Sequence, residues 1–173
     1  MDQVGRFEKV SFEQFRKAMQ DEYGLLYDWV NSDEHIKEAY DSIELPSKAT
    51  SGSAGYDFKA PFEFTLNPGN TIKIPTGIRV RINDGWFLGC VPRSSLGFKY
   101  RFQLDNTIGV IDSDYYYSDN EGHIFAKVSN DGREELSVLP GNSFMQGIFL
   151  PYGIAYGDNV AIVRNGGMGS TGR

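Results

Sequence analysis

Apolar and polar residues recur with two different periods along this chain, and the change falls near Ser42. Residues 7–29 read as helical: Phe12, Phe15 and Met19 share a face at helical spacing, and Ser11 followed by Gln14 has the form of a capping box. A second short helix is predicted from about Asp33 to Tyr40, capped by Ser32, with Ile36 and Tyr40 at i,i+4. From Ser42 the period becomes two. Ile43-Glu44-Leu45 opens an alternation that Pro46 closes, and the small-residue loop Thr50–Gly55 delivers Tyr56-Asp57-Phe58. Strands are predicted at 62–66, 71–74, 77–82, 86–91, 124–128, 135–139, 143–150 and 159–163, with turns at Asn67-Pro68-Gly69-Asn70 and Asn83-Asp84-Gly85. Turns arriving about every ten residues are the rhythm of a sandwich or jelly roll.

Composition narrows the class. A chain of 173 residues, 40% hydrophobic and rich in glycine, has the material for one all-β domain with a sizeable core. No apolar run is long enough to span a membrane, the first residues lack a signal peptide's apolar core, and a cytoplasmic protein is expected. The single cysteine, Cys90, lies in an apolar strand-like run and reads as a core residue. His35 and His123 are isolated and form no metal-ligand cluster.

The net charge of −6 is uneven: residues 1–45 carry 11 acidic and five basic side chains, and residues 46–173 carry 12 of each. Without a basic stripe, extended nucleic-acid binding is not expected. A small phosphorylated ligand remains open where a few arginines converge and a divalent metal supplies further positive charge.

The densest candidate chemistry is Asn106-Thr107-Ile108-Gly109-Val110-Ile111-Asp112-Ser113-Asp114-Tyr115. It reads as two short strand segments around a turn or bulge at Gly109, with carboxylates gathered at one mouth. Asp112 directly follows a hydrophobic run, so its carboxylate is expected in a partly dry site, the setting of a general base. Read alone, the stretch favours a hairpin with solvated aspartates; its neighbours change that reading.

Four further motifs accompany it in order: Ala54-Gly55-Tyr56-Asp57 and Pro92-Arg93-Ser94-Ser95-Leu96-Gly97 before it, Pro140-Gly141-Asn142-Ser143-Phe144-Met145-Gln146 and Gly166-Gly167-Met168-Gly169-Ser170-Thr171-Gly172 after it. Together, over residues 54–172, they resemble the trimeric dUTPase family. The resemblance implies a jelly-roll protomer, a homotrimer with active sites at subunit junctions, and hydrolysis of dUTP to dUMP and pyrophosphate with Mg²⁺ on the triphosphate. It divides the chain into a helical N-terminal extension (1–41), a β core (42–163) and a Gly-rich lid (164–173).

Residue by residue, the resemblance makes Asp112 the base for the attacking water. Arg93, Ser94, Ser95 and Gln146 become phosphate contacts, and Asp57 an outer-shell partner of metal-bound water. The hairpin with Asn106 and Gly109 becomes the uracil reader, and Tyr115 a platform under the deoxyribose. Arg164, Met168, Gly169 and Ser170 become parts of the lid.

The chain departs from the family pattern in several places. Tyr116 to Glu121 intervene before Gly122, Asn142 stands where an aspartate is usual, Arg164 is one residue nearer the tail glycines than in many members, and Met168 replaces a phenylalanine. Two other readings stay open at this point. One is a dCTP deaminase of similar fold. The other is a regulator that binds a protein partner through the acidic N-terminal helices.

Overall fold

Residues 7–9, read above as the start of a helix, belong to a strand, Gly5–Lys9. A computed structural model describes residues 2–161, and in it this first strand, β1, pairs antiparallel with Ile78–Ile82 (β5), Gly5 opposite Ile82 and Lys9 opposite Ile78. Two contacts decide against the helix. Glu8 faces Arg79 across the pair and accepts from its guanidinium at 3.1 Å. Phe7 packs against the rings of Tyr56, Phe58 and Phe149 at centroid distances of 5.3, 5.7 and 5.6 Å. Local helical preference amounts to tenths of a kcal/mol per residue and is outweighed by such packing.

The helix α1 spans Phe12–Tyr23, and the Ser11 hydroxyl caps it by accepting from the Gln14 N–H at 3.1 Å. Phe15, Ala18, Met19 and Tyr23 form its buried stripe. A 3₁₀ turn, Asp28–Asn31, buries Val30 and leads to α2, Asp33–Ser42, which buries Ile36; Ser32 precedes α2 without a side-chain cap bond.

These side chains belong to the same core as the β body, with Ile74, Ile78 and Phe58. Gly77 permits the close approach: it adopts φ +72°, and a Cβ there would lie 2.3 Å from Ile43 Cδ1 and 3.3 Å from Phe15 Cδ2. The N-terminal segment is therefore built into the body through β1 and this shared core.

The other strands are β2 (Tyr56–Lys59), β3 (Phe64–Leu66), β4 (Thr71–Pro75), β6 (Trp86–Pro92), β7 (Phe102–Leu104), β8 (Gly109–Ile111), β9 (Phe125–Asn130), β10 (Leu136–Val138) and β11 (Ser143–Pro151). They form sheets β1-β5, β3-β10, β2-β11-β6-β8 and β4-β9-β7, the predominantly antiparallel β architecture expected of a jelly roll.

Several local expectations differ. Residues 43–45 form no strand, and only Ser47 bridges to Asp57. The expected strand at 159–163 is absent from its described part, 159–161. Ser94–Tyr100, for which no element was predicted, is a short helix, α3.

Removing residues 2–40 should therefore abolish a cooperative unfolding transition instead of leaving an intact body. Phe15→Ala should cost about 3–5 kcal/mol in urea denaturation; an unchanged midpoint would show that α1 is only appended.

Candidate active site

Strand β6 is the spine of the site. Its C-terminal end delivers Arg93, whose N–H donates to the Phe144 carbonyl at 3.1 Å, and Ser94 and Ser95 follow at the head of α3. On one side β11 places Gln146 opposite Val91, and β2 beyond it places Asp57 opposite Gln146. The Gln146 amide donates to the Pro92 carbonyl at 3.5 Å, and Arg93 lies 3.7 Å from the Asp57 carboxylate. Gly55 lets its chain pass this group, since a Cβ there would sit 2.3 Å from Gln146 Oε1. Arg93, Ser94, Ser95, Gln146 and Asp57 are thus gathered by one end of one sheet. Asn142 joins them, lining with Arg93 and Ser95 a hollow of ≈ 300 Å³.

The other side of β6 pairs with β8. Residues 105–108 cross from β7 in one sheet to β8 in another, with Thr107 in the left-handed region at φ 66° and Ile108 N–H donating to the Asn106 carbonyl at 2.7 Å. One strand follows the turn, where two segments were expected. Asn106 and Gly109 line a cavity of ≈ 320 Å³ with Cys90, Ile111, Phe125 and Met145. Its volume is at the lower end of ligand pockets, and apolar walls with a few polar groups suit a flat heterocycle. Gly109 keeps this wall thin, since a Cβ would lie 3.1 Å from Cys90 Cβ. Burial pushes the Cys90 thiol up to about 12, which makes it a wall and not a nucleophile.

Asp112 is exposed, against the expectation of a partly dry site. Strand alternation is the reason: along β8 Gly109 and Ile111 point inward, so Asp112 points out. It opens the 3₁₀ turn Ser113–Tyr117.

Tyr115 is not the open platform that the resemblance implies. It is only 2% exposed, its hydroxyl donates inward to the His123 carbonyl at 2.7 Å, and Asn120 donates to that hydroxyl at 2.9 Å. It is a strut beneath the Asp112 turn. Arg164, Met168, Gly169 and Ser170 lie outside the described residues.

The β6 register sets the distance between the two halves. Ile111 sits opposite Leu88 on one side, and Met145 sits opposite Pro92 on the other. Those four residues of strand span about 13 Å. Asp112 lies beyond Ile111, so within one chain it stands far from Arg93 and Gln146.

A family model for dUTPase matches residues 41–172. The chain belongs to the dUTPase family. The Lactococcus lactis deoxyuridine 5'-triphosphate nucleotidohydrolase is 41% identical over 133 residues, 75% of this chain and 89% of the relative. The Streptococcus mutans dUTPase structure has a TM-score of 0.61 at 35% identity, covering 68% of this chain and 91% of its own. A Staphylococcus bacteriophage 80alpha dUTPase, 14% identical with a TM-score of 0.63, covers 93% of this chain and 98% of its own and shares the fold.

In this dUTPase, sequence reading passed over His123. It is fully buried, and its Nε2 accepts the Gly77 N–H at 2.8 Å. The proton of the neutral ring therefore sits on Nδ1, and the Gln14 side-chain amide lies 3.4 Å away. Burial, with a smaller effect of Lys73, pushes the ring's pKa down to about 3.

No group of three or more His, Cys, Asp or Glu side chains gathers among the described residues. Asp57 is a single half-buried carboxylate, and that donor set suits an ion that keeps its waters and takes its other ligands from phosphate oxygens.

Unfolding returns His123 to its ordinary 6.5, so between pH 6.5 and about 3 the unfolded chain binds one more proton than the native one at this ring. The stabilisation is complete above that window and is lost as pH falls through it, at up to about 1.4 kcal/mol per pH unit. Thermal melts should show Tm falling on acidification with a shallower slope in His123→Gln; parallel slopes would contradict the assignment.

Proposed function

We infer that this chain completes its active sites between subunits of a homotrimer, and that as a dUTPase it hydrolyses dUTP to dUMP and pyrophosphate there. The observation that carries the shared site is the separation along β6 of Asp112 from the Arg93, Gln146 and Asp57 group. A base must come within hydrogen-bond reach of the water it activates. A second copy presenting its Asp112 turn to the first copy's phosphate group satisfies that requirement, and it also dries a carboxylate that is exposed in one chain.

In this reading Arg93 binds a phosphate oxygen through its guanidinium fork, beside the hydroxyls of Ser94 and Ser95 and the Gln146 amide. Asp112 orients a water toward the α-phosphorus and takes its proton. The bond from that phosphorus to the bridging oxygen breaks, and its electron pair leaves with pyrophosphate. Asp57 would hold a water of a Mg²⁺ ion on the triphosphate, and that ion would supply positive charge against the phosphates. Positioning and charge supply the catalysis, because little covalent work is left to the protein.

The cavity behind Asn106 and Gly109 takes uracil. Backbone N–H and C=O groups of the 105–108 crossing match its pairing edge, cytosine would set donors against donors, and the thin wall leaves no room for a thymine methyl. The tail residues Arg164, Met168, Gly169 and Ser170 close over the bound nucleotide.

Asp112→Asn keeps the side chain's shape and removes proton acceptance, so kcat should fall by about 10²–10⁴. A pyrophosphate-release assay across dUTP, dCTP, dTTP and UTP should show turnover of dUTP far above the rest; comparable rates on dCTP or dTTP would refute the uracil selectivity.

Asp112→Asn and Arg93→Ala should each be nearly inactive alone. Random exchange of their subunits should restore roughly a quarter of wild-type activity through sites that draw one intact half from each partner. A mixture no more active than its components would place the whole site within one chain.

A further inference from the structure

Two segments by which this chain departs from the common dUTPase pattern touch each other. One is the helical segment 11–42, and the other is the insertion Tyr116–Glu121 that follows the Asp112 turn. Both carboxylate oxygens of Glu121 are taken by Ser11: Oε2 accepts its N–H at 2.7 Å and Oε1 its hydroxyl at 2.6 Å. The same hydroxyl accepts from the Gln14 N–H, so one bond system closes both the start of α1 and the end of the insertion.

Glu121 pays for this geometry with φ 58°, which a residue with a side chain adopts only where its surroundings hold it. The next residue presses on the turn itself. A Cβ on Gly122 would lie 2.7 Å from Tyr116 Cα and 2.9 Å from the Tyr115 carbonyl oxygen.

The turn is gripped from other sides too. Asn120 donates to the Tyr115 hydroxyl. Tyr116 donates to Glu8 at 2.8 Å, and the Arg79 guanidinium stacks 4.5 Å from the Tyr116 ring centroid. The Tyr116 hydroxyl bond, outweighing burial and helped by Arg79, holds the Glu8 carboxyl below its ordinary value. The Tyr115 N–H closes the turn on the Asp112 carbonyl at 3.2 Å.

We propose that Glu121 and Ser11 form a clasp through which the helical segment positions the Asp112 turn, making Glu121 a positioning residue for hydrolysis. The clasp touches no substrate; it fixes where the exposed carboxylate of Asp112 stands when another subunit presents a phosphate. The proposal rests on the reading of Asp112 as the base.

The test uses the full chain with Mg²⁺ and dUTP, at a temperature well below every Tm. Glu121→Ala should lower kcat about tenfold through misplacement of the base, with KM held within about threefold because the phosphate and uracil contacts are untouched. Ser11→Thr keeps the N–H and the hydroxyl and should retain wild-type kcat. A merely structural clasp would lower Tm and leave kcat of the folded enzyme within about twofold of wild type, and that result overturns the proposal. Should Glu121→Ala fail to fold, Glu121→Gln, which keeps the shape and one acceptor, carries the same comparison.

Asp112→Asn is measured alongside. Lost turnover there with retained turnover in the Glu121 variant overturns the clasp alone. Retained turnover in Asp112→Asn overturns the reading of the base, and the clasp with it, whatever the Glu121 variant does.

Discussion

The structure hangs on one imidazole that must stay neutral. His123 accepts the Gly77 N–H from the loop before β5, meets Gln14 from α1, and stacks on Phe125 at 4.5 Å. Its own carbonyl takes the Tyr115 hydroxyl. Helical segment, β body and active-site turn are thereby tied through one residue with no contact to solvent. A charged ring would carry two N–H donors and need two acceptors, yet Gly77 faces Nε2 with a donor, so burial and hydrogen bonding both demand the neutral form. The tie also explains why the N-terminal segment is no detachable appendage, although the family match begins only at residue 41.

Most strands were legible because period-two alternation with Gly, Pro and Asn punctuation is a strong signal, as at Ile78–Ile82 and Trp86–Pro92. The misreadings have physical causes. Gly5–Lys9 carries no decisive local pattern, and its state is set by the free edge of β5 and by rings far away in sequence. Ser94–Tyr100 holds a glycine and buries none of its residues, so no helical face was there to find. At Asp112 the hydrophobic neighbours suggested dryness, but alternation along β8 turns it outward. Tyr115 was singled out as a platform under the deoxyribose, and only the fold shows that its hydroxyl is spent inward while Tyr117 is exposed.

The candidate site was legible as a list of residues and illegible as an arrangement. Motif order brings Asp57, Arg93 and Gln146 side by side through β2, β11 and β6, which no spacing in the chain announces. The same sheet holds Asp112 away from them, because β8 meets β6 near Leu88 and not near Pro92. A rigid strand acts as a ruler between two halves of one chemistry. The exposed Ile108 and Val110 lie on the segment beside the cavity that Asn106 and Gly109 line.

The paired hydrogen bonds from Ser11 to Glu121 make each segment depend on the other. A relative that acquired residues 11–42 by recombination without the 116–121 loop would gain a helix whose first amide and capping hydroxyl lack their acceptor. One that acquired the loop alone would carry a carboxylate held in a left-handed backbone with nothing to hold it there. Separated by more than seventy residues, the two segments share one bond system, so a change in either unsettles the other.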